Sequence, residues 1–229
     1  MTETIATSKA CATAPPGKGA GVALVILAVL SLALLANHPS GAARTFADVL
    51  REEAANRRPD ALVHGGFIAV LAAQLVCFAI LTMRLGLHRP LAIAGMVLSS
   101  IGAGFLMLSM LFDGLVTPAI AARYVDVIDI VERQNDARAL FVFVGATIAF
   151  LMPAGLAFQA AGLASWSLGF VRREGLLRAT GLYGLVAAIA TVVGIAATGG
   201  RVPHVLIAAI VLVAAGYALV GIALMRRRL

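Results

Sequence analysis

Six long apolar runs, at about 20–37, 62–83, 91–113, 139–162, 178–198 and 204–225, restrict this chain more than any other feature. A helix needs ~20 apolar residues to cross a hydrocarbon core of ~30 Å, and in lipid its backbone polar groups must pair internally. Each run is close to that length. Of the 229 residues, 61% are hydrophobic and 13% charged, whereas a soluble domain carries about 25% charged residues. The surplus has to face lipid. The chain therefore reads as all-α, a polytopic membrane bundle of six transmembrane helices.

The first run, GVALVILAVLSLALLAN, is short enough to resemble the apolar segment of a signal peptide. No small-residue cleavage site precedes the charged segment and five further runs follow, so a retained helix is expected. Orientation follows from Lys and Arg. Alternate segments place Lys9, Lys18, Arg84, Arg89, Arg172, Arg173, Arg178 and Arg226–Arg228 on one side, ten positives with only Glu3 and Glu174. The other side holds eight arginines and eight acids. The more basic side is expected to be cytoplasmic, with both termini there, in a bacterial inner (plasma) membrane.

Net charge +7 would point to nucleic acid in a soluble protein. Here the basic residues flank the runs, where anionic lipid accounts for them, and none interleave with aromatics. The expected partner is the lipid bilayer and not nucleic acid. Gly-rich faces at Gly95, Gly102, Gly181 and Gly184 also suit close helix packing, within the bundle, in a homo-oligomer or with a protein partner. Cys11 and Cys77 fall on the tail and in the second run, so they cannot pair.

Residues 1–19 are Thr-, Ala- and Pro-rich and read as a disordered cytoplasmic tail, leaving 20–229 as one six-helix domain. The first outer loop contains FADVLREEAANRR, with Phe46, Val49 and Leu50 on one helical face. It reads as a short amphipathic helix on the outer surface, ended before Pro59. Residues 122–138 read as a second one, continuing the third run beyond Pro118. Pro153 is expected to kink the fourth run.

Polar residues inside the runs are few. Asp113 breaks the third run near its end, and an ionisable group within a span is expensive, ~2.5–3.5 kcal/mol at the centre on insertion scales. His38 closes the first run in NHPS, and His64 opens the second in LVHGG. Topology puts all three in one layer near the outer face. Two imidazoles and a carboxylate suit zinc, iron or copper, or a proton-accepting cluster. His38, His64 and Asp113 are therefore the candidate ligand-binding and metal-ligating residues, with no catalytic residue assigned and no cofactor named. Met107 and Met110 precede Asp113 on a similar face, a spacing that suits copper(I) but fits ordinary core packing better. Gln74 and Gln159 are the polar side chains at depth, and His204 opens the sixth run in the same outer layer.

A His-Pro ending the first run (His38, Pro39), a His opening the second (His64) and an acid then Pro ending the third (Asp113, Pro118) follow in order. That order resembles small uncharacterised bacterial six-span inner-membrane proteins. The resemblance covers roughly residues 20–123 and implies a similar fold, without an activity. The two halves show no inverted repeat of the transporter kind. Nucleophile-elbow, phosphate-loop and His-Glu-x-x-His motifs are absent. The function expected is a non-enzymatic accessory or sensing component with a polar ligand, proton or metal site near the outer face. The alternatives are a small-solute transporter or channel and a metal-dependent enzyme acting on lipid or quinone.

Overall fold

The computed structural model describes residues 17–38 and 45–226, all of whose regular elements are helical. The helices are α1 (Gly17–Ala36), α2 (Phe46–Leu85), α3 (Pro90–Leu111), α4 (Thr117–Tyr124), α5 (Val131–Val171), α6 (Gly175–Thr198) and α7 (Pro203–Met225). A π-helical turn, Phe112–Val116, joins α3 to α4. Six candidate spans are long and apolar enough to cross a membrane, with α3, the π turn and α4 counting as one. The protein is a multi-pass transmembrane helix bundle. Of the tail expected over 1–19, residues 1–16 lie outside the described residues, as does Cys11, while Gly17–Gly19 open α1.

Short connections at 86–89, 172–174 and 199–202 set successive helices side by side and antiparallel. α1 packs against both α2 and α7, which closes the bundle into a ring. Val76, Phe150, Val186 and Ile189 turn outward and are exposed, a surface that only lipid tolerates over so wide an area.

Small residues let the backbones meet. On the seam between α3 and α5, a Cβ added to Gly102 would lie 2.8 Å from the Gln159 nitrogen and the Gly155 oxygen. One added to Gly162 would lie 2.9 Å from the Gly95 oxygen and the Ser99 nitrogen. Gly95 and Ser99, a small-xxx-small pair in the sequence, thus meet Gln159, Gly162 and Trp166, which share one face of α5 at i, i+3 and i+7. Away from the histidines the core holds an aromatic cluster, with Phe78 against Trp166 and Tyr217 at centroid separations of 5.1 and 4.7 Å.

The amphipathic stretch is helical but differs from the expected surface helix: α2 runs without a break from Phe46 through Pro59 to Leu85. A mid-helix proline removes one hydrogen bond and crowds the preceding turn. Pro59 is exposed and so is Ala55, the residue whose carbonyl it leaves unpaired, so water can satisfy that oxygen. Packing then outweighs the proline. Leu50 is fully buried among Ala121, Ile128 and Ala137, with Phe46, Ala47, Tyr124 and Phe141 around it. Burying one leucine stabilises by about 1.5–3 kcal/mol. A capping box between Thr45 and Asp48 closes the free end. The apolar face therefore covers protein instead of lipid. The second loop agrees in part: α4 carries the third span on past Pro118, but it ends at Tyr124, and a 3-10 turn (Val125–Val127) and a bend at 128–130 lead into α5 at Val131. The start of α2, α4 and the start of α5 form a helical cap above the histidine end. At Pro153, α5 continues as one helix.

Candidate functional site

The three residues that share a layer in the sequence reading converge in space. His64 lies on the inner face of α2 at the base of the cap, and His38 follows the last turn of α1. Asp113 sits in the π turn, and Pro118 explains why that turn is wide. A proline ring in a regular α-helix strikes the carbonyl four residues back, here Gly114. The turn opens instead, so that the Thr117 N–H and hydroxyl both donate to the Phe112 carbonyl, the hydroxyl at 2.9 Å. Such bulges occur often at functional sites. Gly114, the next residue, lies so close to His64 that a Cβ would fall inside 3.0 Å of three of its side-chain atoms.

His64 Nε2 is 3.2 Å from His38 Nε2 and 3.1 Å from Asp113 Oδ2. His38 Nε2 and Asp113 Oδ2 are 3.9 Å apart. The imidazoles meet nearly edge to face, at 74° between ring planes. His64 Nδ1 is 2.9 Å from the backbone oxygen of Asp60. A carbonyl only accepts, so Nδ1 carries the hydrogen, and in a neutral ring Nε2 is then a bare lone pair. That lone pair can accept from His38, but it also faces a carboxylate oxygen that has no hydrogen to give. A proton between Nε2 and the carboxylate, on either group, resolves the conflict, and so does a cation at the common centre.

The two short edges suit hydrogen bonds, and the triangle also comes near what a cation needs. Tetrahedral zinc with bonds of about 2.0–2.1 Å separates its donor atoms by about 3.3 Å. Two edges match within 0.2 Å, and the third is about 0.6 Å long. The Asp60 carbonyl on Nδ1 is the usual device for fixing the tautomer of a ligating imidazole. His64 is sealed, with its side chain 2% exposed, whereas those of His38 and Asp113 are 41% and 34% exposed. One imidazole is anchored, and the other imidazole and the carboxylate stand at an opening.

The opening leads into a cavity of about 450 Å³ between α1, α2, α3, α5 and α7, whose walls are mostly apolar. Small-molecule sites typically span ~300–1,000 Å³. His38 and Asp113 line its mouth. Along α2 the wall descends through Phe67 and Leu71 to Gln74, about 15 Å below His64 at 1.5 Å per residue. Gln159 and Tyr217 line the cavity as well. The Gln159 amide donates to the Ser99 carbonyl at 3.1 Å, and its side-chain oxygen accepts from the Tyr217 hydroxyl. Polar chemistry thus stands at the mouth and the floor of an apolar shaft.

Met110 lines this cavity, but Met107 packs into the cluster around Leu106 and Leu156, so the two thioethers do not act together. His204 is exposed at the start of α7, and only its neighbour Pro203 reaches the cavity. Tyr217 was legible as a tyrosine inside an apolar run, since a buried hydroxyl needs a partner. Glu53, in the cap and outside the expected span, carried no such signal. Burial raises its carboxyl to about 7, and the Asp60 and Asp113 carboxylates push the same way. Comparison with protein-family models, with curated proteins and with solved structures gave no match.

Proposed function

We propose that the protein is a non-enzymatic accessory or sensing component of a bacterial inner membrane, with both termini cytoplasmic. In this reading it binds one divalent first-row metal ion near the outer face through His38, His64 and Asp113. Zinc is the favoured ion: it accepts mixed imidazole and carboxylate ligands and imposes no geometry beyond the tetrahedral. A fourth position then faces the cavity, where the polar end of an amphipathic molecule can join the metal while its apolar part fills the shaft. The observation that carries this reading is the convergence of three donor atoms within 4.8 Å of one another, with His64 held in a ligating tautomer by Asp60.

The test is a zinc titration of chelator-stripped protein in detergent, against a chromogenic competitor, with metal content by elemental analysis. Wild type should take up one equivalent, and the triple variant His38→Ala, His64→Ala, Asp113→Ala none. Equal zinc uptake by both proteins, or no uptake by wild type, would remove the proposal.

Glu53 favours one second reading, a metal-dependent enzyme acting on lipid or quinone at the same face. Its carboxyl feels the charges of His64 and Asp113, and a carboxyl raised towards neutral pH can accept and return a proton. Loss of turnover in Glu53→Gln with zinc uptake intact would select the enzyme over the receptor.

A further inference from the structure

At the opposite end of the bundle a second cavity, of about 270 Å³, opens where α2 ends, α3 begins, α5 ends and α6 begins. It shares no lining residue with the first cavity. Arg84, Arg89 and Arg173 line it, and no carboxylate does; Glu174, adjacent in sequence to Arg173, is not among the lining residues. Its remaining walls are largely apolar, with Leu91, Trp166 and Phe170 among them. The Trp166 indole N–H already donates to the Ala92 carbonyl at 3.2 Å, so the ring presents carbon to the cavity. The guanidinium of Arg84 lies across the start of α1, where a Cβ on Gly17 would come within 2.8 Å of it.

We propose that this cavity holds the phosphate group of an anionic phospholipid, with the three arginines around the phosphate and a fatty chain against the apolar wall. Guanidinium groups donate in a planar fork that matches phosphate oxygens. A basic pocket between membrane helices, on the side where positive charge is concentrated, is the arrangement that anionic headgroups select. A soluble phosphate shares the headgroup chemistry but has nothing to place against Leu91 and Phe170. The lipid is therefore the favoured source.

The experiment is native mass spectrometry of the whole protein released from nanodiscs of phosphatidylglycerol or of phosphatidylcholine. It is paired with a lipid titration that reads thermal stability in detergent. Wild type should retain one phosphatidylglycerol and no phosphatidylcholine. Arg89→Gln with Arg173→Gln should weaken retention about 30-fold, taking about 1 kcal/mol for each cation near a lipid surface and 1.4 kcal/mol per tenfold change. Arg178→Gln, at the same end but outside the cavity, should leave retention unchanged. Equal retention of the two lipids, or equal weakening by Arg178→Gln, would overturn the proposal. So would displacement of the lipid by millimolar inorganic phosphate, which would reassign the site to a soluble anion. If the double variant fails to fold, the contrast between the two lipids on wild type still decides.

Discussion

Gly114→Ala tests the candidate metal centre without touching any of its ligands. In the folded chain a Cβ at this position would fall inside 3.0 Å of His64 Cβ, Cγ and Nδ1, where ordinary contact begins at 3.4 Å. One partner must therefore move by more than 0.4 Å. The π turn is held by two bonds to the Phe112 carbonyl and by buried Pro118, so His64 is the part that yields. Metal sites tolerate about 0.2 Å of error in ligand distance. Disturbing the support of a ligand typically lowers affinity 10–100-fold, and overpacking a core destabilises by about 1–3 kcal/mol. Gly114→Ala should therefore lose at least tenfold in zinc affinity by chelator competition and unfold earlier by several degrees. Gly104→Ala, on α3, meets nothing within 4 Å and should match wild type in both. A Gly114→Ala protein that takes zinc as tightly as wild type would show that His64 and the turn do not form one unit, and the reasoning would fail.

Other expectations follow from the same geometry. Glu53→Gln should stabilise metal-free protein at pH 8. The folded state keeps a proton on Glu53 up to about 7, against 4.5 for the free side chain. The folded state thus binds more protons over that window, so this group's contribution falls as pH rises through it. The variant should flatten the slope, by on the order of 1 kcal/mol in a thermal unfolding series across pH. Gly162→Ala should destabilise by about 1–3 kcal/mol through the tight α3–α5 seam, whereas Gly145→Ala, with open space around it, should not; unfolding in detergent distinguishes them. Tyr217→Phe removes the donor to the buried Gln159 side chain and should lower stability by about 1–3 kcal/mol, the usual consequence of an unsatisfied buried polar group.

The bundle was legible because lipid imposes length and apolarity on every span, and both are visible one residue at a time. Counting Lys and Arg also put His38, His64 and Asp113 in one layer. Their convergence is another matter: the carbonyl of Asp60, the missing side chain of Gly114 and the position of Glu53 come from separate turns with no shared spacing. Local rules failed where packing overruled them. Pro59 marks a helix end by its chemistry, yet Leu50 has a socket formed by Ala121, Ile128 and Ala137, residues far along the chain. The cavity was hidden for a similar reason, since five helices leave a space that none of them encodes alone.

The unbroken course of α2 has a mechanical result. At 1.5 Å per residue its 40 residues make a rod of about 60 Å, twice the thickness of a hydrocarbon core. His64 stands where the rod emerges. The projecting part, clasped by α4 and the start of α5, and that imidazole thus belong to one rod, with the exposed Pro59 between them.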